Sequence, residues 1–155
     1  MNNLFNLQKQ YFFYKKYHLN RTNVLIHIGC IPMIVWSICI FLTHFSSNLF
    51  FNPTFLIVNL YSWYYKILDE NLGKVMQLLL YMSWISSYFF YWYVSNSLVY
   101  AMLLHVGAWI AQFIGHYYFE KNRPALTDSL VQSFLIAPMF VLIDIQYLIQ
   151  QRMSN

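Results

Sequence analysis

Charged residues are scarce in this chain. Asp, Glu, Lys and Arg make up 9% of its 155 residues, against roughly 25% in an ordinary soluble domain. Hydrophobic residues make up 59% and aromatics 21%. A soluble fold of this length cannot hide that much apolar surface, which points to a membrane protein. The net charge of +4 is too small to suggest a nucleic-acid partner. Cysteine is nearly absent: Cys30 and Cys39 both lie inside the first apolar run, with no CxxC, and read as small core residues rather than a disulfide. Also missing are a GxSxG, a P-loop and a dinucleotide fingerprint. The N-terminus lacks the basic, apolar, small-residue order of a cleavable signal, so targeting is expected to fall to the first membrane helix. The C-terminal "QRMSN" carries no lipidation or retrieval signal.

What is present is a series of apolar runs, at about 24–43, 49–67, 75–95, 97–119 and 128–149, most near the roughly 20 residues that a spanning helix needs. They predict an all-α, polytopic membrane helix bundle of about five crossings, in a single integral-membrane domain over residues 1–155. The second run is the weakest, interrupted by Asn52, Pro53 and Asn59, and is compatible with a re-entrant helix. Residues around 4–18 mix Leu, Phe and Tyr with Gln and Lys, the pattern of an amphipathic helix in the membrane interface. Asn20, Thr22 and Asn23 then offer cap and turn chemistry before the first crossing. With five crossings, Lys9, Lys15, Lys16, Arg21, Lys66, Lys74, Lys121 and Arg123 share one side and Arg152 the other. The positive-inside rule then places the N-terminus in the cytoplasm.

Histidine positions carry the chemistry. His18 ends the interfacial segment, His27 lies about one turn inside the first crossing, and His116 lies near the cytoplasmic end of the fourth. An antiparallel pairing of those crossings brings His27 and His116 to one depth. His105 precedes His116 by eleven residues, on nearly the same helix face but about 16 Å away along the axis. A regular helix therefore keeps both from binding one metal directly. His105 lies deeper in the same pocket, serves a second metal, or needs a broken helix. His44 looks like an interfacial residue at the far end of the first crossing.

On the fourth helix Gln112, His116 and Glu120 form a polar stripe at spacings of four. A metal-bound imidazole usually gives its other N–H to a carboxylate or carbonyl, and Glu120 and Gln112 are placed to receive it from His116. Gly107 and Gly115 allow close approach by neighbouring helices, and Pro138 is expected to kink the last one. Plainer readings stand beside these. Glu120 with Lys121 and Arg123 makes a hydrated loop, Asp128 complements a helix dipole, Asn23 caps the first crossing, and a membrane histidine can simply bond a carbonyl. Against that, ionisable groups within spans are costly and usually functional. Imidazole clusters suit zinc, copper, iron or nickel, and composition does not choose among them.

Two stretches, "YHLNRTNVLIHIGCIP" (Tyr17–Pro32) and "WIAQFIGHYYFEKNRPALTDSLVQSFLIAP" (Trp109–Pro138), resemble the two motif blocks of the 2-hydroxy fatty acid dioxygenase family. That family includes the fungal endoplasmic-reticulum enzyme of phytosphingosine breakdown. The resemblance implies an Fe(II)-dependent, multi-pass enzyme of fatty acid and sphingolipid catabolism, cutting one carbon from a 2-hydroxy fatty acid with O2. His18, His27 and His116 match the motif histidines and His105 a further one; Glu120 and Asp128 also occupy motif positions. The family commonly reads "APALLDNLVQ" where this chain reads "RPALTDSLVQ", which retains the acidic residue.

On this reading His18, His27 and His116 hold Fe2+, with His105 as a further ligand or supporting group. Asn23, Gln112, Glu120 and Asp128 support the ligands, and Lys121 or Arg123 attracts the substrate carboxylate. Membrane lipid surrounds the site; no protein partner is indicated. In a eukaryote the likeness points to the endoplasmic reticulum membrane, in a bacterium to the inner membrane. The rival readings are a multi-histidine haem protein, a zinc hydrolase, and a non-enzymatic membrane scaffold.

Overall fold

The computed structural model describes residues 4–154, with the side chains of residues 131 and 132 left out. Every regular element among the described residues is helical. In order these are α1 (Leu7–Lys15), α2 (Arg21–Thr43), α3 (Pro53–Leu68), α4 (Glu70–Tyr93), α5 (Ser97–Ile114), a π-helical turn (Gly115–Glu120), a short 3-10 turn (Ala125–Thr127) and α6 (Leu130–Met153).

Three of the five expected crossings are helices long and apolar enough to span a membrane: Arg21–Thr43, Ser97–Glu120 and Ser133–Met153. The other two differ for physical reasons. α3 has 16 residues, about 24 Å at 1.5 Å per residue, which is short of the roughly 30 Å hydrocarbon layer. α4 is long enough at 24 residues, but Gln77, Ser83, Ser86, Ser87 and its tyrosines and tryptophans dilute its hydropathy. Both still turn apolar side chains outward, among them Leu56, Leu60, Trp63, Leu78 and Met82.

Polar side chains set the helix starts. Asn6 accepts from Lys9 N at 3.0 Å before α1, and Asn20 from Thr22 N at 2.9 Å before α2. Asn52 accepts from Phe55 N at 2.8 Å with Pro53 opening α3. In each case the side-chain oxygen satisfies an N–H with no intrahelical partner. Asp69 both ends α3 and caps α4 through Leu72 N at 2.8 Å, so the two helices form a hairpin around a single extended residue.

The chain falls into two compact units: residues up to Ile31 together with those from Ile110 onward, and Pro32–Trp109. The second unit is held by the α3–α4 hairpin. There Gly73 lies so close to α3 that a Cβ would stand 2.6 Å from the Lys66 backbone, and Tyr81 donates to Asn59 at 2.8 Å. Gly107, expected to mediate close approach, has open space around its Cα–H.

In the first unit, α1 docks on α6 as well as presenting an apolar face outward. Tyr14 is buried, stacking on Phe140 with ring centres 4.5 Å apart. Lys15 reaches the buried Asp144 at 3.4 Å. Phe5 and Phe12 stay exposed, in keeping with an amphipathic helix. Both cysteines are free.

Candidate metal centre

His18, His27 and His116 come together in the first unit, and all three are buried. Their ring centres lie 4.5 to 4.9 Å apart and each pair is steeply inclined, at 70° to 83°. One ring nitrogen from each lies within 4.8 Å of the others. Among the described residues this is the one group of three or more such side chains with metal-binding spacing. A cation bonded at about 2.1 Å to each nitrogen requires only a small inward movement of the rings.

The backbone fixes two of the rings by the same device. His18 Nδ1 lies 2.9 Å from the Tyr14 carbonyl and His27 Nδ1 2.9 Å from the Asn23 carbonyl, each four residues back. A carbonyl only accepts, so both Nδ1 atoms carry the proton and both Nε2 atoms keep a free lone pair. His18 Nε2 and His116 Nδ1 are buried with no hydrogen-bond partner. Burial, followed by the nearby His27, holds His18 neutral, its pKa pushed down to about 2. Neutral imidazoles with unshared lone pairs are what a cation needs and what a packed apolar core avoids. The donor set therefore fits a metal.

His116 sits on the π-helical turn, where Lys121 N donates to His116 O five residues back. Such turns are rare and frequent at functional sites. The adjoining Gly115 approaches α2 closely enough that a Cβ would meet Asn23 Oδ1 at 2.5 Å. This is the close approach expected of Gly115.

The other expected residues fall in different places. Glu120 does not hold His116. Its carboxylate accepts from Leu19 N at 2.7 Å, Asn20 N at 3.0 Å and Asn23 Nδ2 at 3.0 Å, so it grips the segment joining His18 to His27. Asn23 is fully buried and both lines the site and links it to Glu120. Gln112 is buried with its amide nitrogen unpartnered. Asp128 pairs with Arg123 at 2.9 Å and accepts from the Tyr17 hydroxyl, fastening the residue before His18 to the loop after the π-turn. Lys121 and Arg123 line a cavity of about 590 Å³ that also includes His116, Phe113 and Tyr117.

His105 lies in the second unit with both ring nitrogens engaged. Trp109 Nε1 donates to its Nε2 at 3.1 Å, leaving Nδ1 to donate to Ser37 Oγ at 2.9 Å; that hydroxyl donates to Ile34 O at 2.8 Å. No lone pair remains for a metal in this arrangement. His44 contacts Ser97 Oγ at 3.2 Å and the Tyr91 ring, as expected of a peripheral residue. Sequence reasoning overlooked Tyr14, which stacks on His18 with ring centres 3.8 Å apart and accepts from it. Its four-residue spacing from His18 was the available signal.

Helices long and apolar enough for a membrane and three buried imidazoles at metal-binding spacing define a helical membrane protein with a site that could hold a metal ion. Residues 4–147 match the family described as "2-hydroxy-palmitic acid dioxygenase Mpo1-like". The chain is 36% identical over 144 residues to the Saccharomyces cerevisiae protein named 2-hydroxy-palmitic acid dioxygenase MPO1, covering 91% of this chain and 80% of the yeast protein. This chain belongs to the Mpo1-like family. No solved structure matches it.

Proposed function

We propose that this chain is a membrane-bound, Fe(II)-dependent dioxygenase that converts a 2-hydroxy fatty acid to the acid one carbon shorter. The observation that carries the reading is the buried His18–His27–His116 cluster at metal-binding spacing in a chain of the Mpo1-like family. The overall change is balanced without a further cofactor. A 2-hydroxy acid and O2 give the shortened acid, CO2 and water, and the four electrons released at the substrate reduce one O2.

His18, His27 and His116 would hold the ion, which supplies the one-electron chemistry that O2 requires when bound. The substrate's carboxylate and hydroxyl are the groups through which a 2-hydroxy acid would be drawn to such a site. The Tyr14 and Asn23 carbonyls keep the Nδ1 protons of His18 and His27 in place, so both rings face the site with Nε2. Glu120, Asn23 and Asp128 hold the ligand-bearing segments together. The cavity beside His116 admits the head group, and the exposed Phe113 and Tyr117 offer the acyl chain an apolar path toward lipid.

A role in fatty acid and sphingoid-base catabolism follows from such a reaction, and in a eukaryote the endoplasmic reticulum membrane is the setting we favour. A cytoplasmic N-terminus is supported by Lys9, Lys15, Lys16, Arg21, Lys121 and Arg123, which share one face whether or not the α3–α4 hairpin crosses. The test is anaerobic loading with Fe(II), then addition of O2 and 2-hydroxyhexadecanoic acid, with products read by mass spectrometry. A C15 acid that requires both iron and O2 is the expected result. Turnover without O2, as a zinc hydrolase would give, or no C15 acid from folded, iron-loaded protein, refutes the reading.

A further inference from the structure

Lys121 and Arg123 both line the cavity next to His116, but their circumstances differ. Arg123 is already neutralised, its guanidinium 2.9 Å from the Asp128 carboxylate. Among the described residues no ion pair engages Lys121, and its side chain is exposed at the cavity wall. Its backbone is the second clue. Lys121 has φ 54° and ψ 31°, in the left-handed region, where a side chain costs free energy that glycine avoids. Helices that end this way usually place Gly or Asn there. At the other positive φ among non-glycine residues the chain carries Asn96, one of the side chains that tolerate it. A lysine held at position 121 against local preference, next to a metal-site histidine and facing a cavity, is the signature of a side chain kept for what it binds.

We propose that Lys121 is the residue that reads the substrate carboxylate, and that Arg123 serves the Asp128 contact instead. The inference rests on the 2-hydroxy acid reading above. A free ammonium at the cavity wall attracts the anionic head group and places it beside His116, while Phe113 and Tyr117 border the same space. A carboxylate is recognised there by charge, so an ester of the same acyl chain is not.

The test uses the full-length, metal-free protein in detergent micelles, measuring binding of 2-hydroxyhexadecanoate and of its methyl ester by competition with a fluorescent fatty-acid probe. The parent is expected to prefer the acid. Lys121→Gly relieves the backbone strain, so it should melt at or above the parent temperature while losing tenfold or more of its affinity for the acid and little for the ester. Lys121→Arg should keep the preference. A glycine variant that retains the acid preference, or that loses acid and ester equally, overturns the assignment of Lys121. A parent with no preference for the acid overturns the substrate reading itself, and this proposal with it.

Discussion

Replacing Gly115 by alanine puts a methyl group 2.5 Å from Asn23 Oδ1 and 3.2 Å from Ile26 Cδ1. The first distance is about 1 Å short of an ordinary contact. Asn23 is fully buried, and its amide nitrogen is held by Glu120 at 3.0 Å, so the amide cannot swing away without losing that bond. Overpacking of this kind costs about 1–3 kcal/mol, and a hydrogen bond to a charged group is worth about 1.5–3 kcal/mol. Alanine recovers up to about 1 kcal/mol in helix propensity. The net loss should be about 3 kcal/mol, or a fall of about 6–12 °C in melting temperature for a chain of this size. Because Asn23 O also fixes the His27 ring, bound Fe(II) per chain after anaerobic dialysis should fall as well. Gly107→Ala is the matched control: a Cβ there meets nothing within 4 Å, so that variant should melt at or slightly above the parent. Equal melting and full metal binding in the Gly115 variant would refute the close approach and its link to the site.

His27→Ala or His116→Ala should each abolish stoichiometric iron binding, as His18→Ala should; a variant that binds iron like the parent removes that residue from the ligand set. His105→Ala breaks the Trp109–His105–Ser37 chain, and should destabilise by about 1–3 kcal/mol while iron per chain stays at the parent value. Loss of iron there would bring His105 into the site. Lys15→Gln strands the Asp144 carboxylate in an apolar setting and should destabilise by about 2 kcal/mol. Asp144→Asn, which removes the buried charge, should cost less, and the reverse order in thermal melts would show that the pair does not anchor α1.

Much of the site could be read from the chain because its signals were local or chemical. Histidine at like depths in apolar runs is rare, and depth alone brought His18, His27 and His116 to a common level. Side-chain partners across the fold were harder. Glu120 lies four residues after His116, and helical periodicity pairs them. Tertiary structure instead gave its carboxylate two backbone N–H groups and an amide at the start of α2, where helix ends leave donors unsatisfied. The π-turn at Gly115–Glu120 leaves no mark in hydrophobic pattern, since its cause is a backbone register. Three of the five apolar runs meet the length and hydropathy of a crossing. Hydrophobicity reports burial from water, and α3 is too short for a crossing while Tyr, Trp, Ser and Gln dilute the hydropathy of α4.

The three histidines of the candidate metal centre come from distant parts of the chain: His18 and His27 close to its start, and His116 roughly ninety residues later. An ion held by all three is therefore a crosslink. Closing a loop of about ninety residues costs a flexible chain about 4 kcal/mol in entropy, and a bound ion offsets that loss in the folded state alone. A bound ion would then act as a staple for the unit built from both ends of the chain, so that its supply would govern how long the folded protein survives.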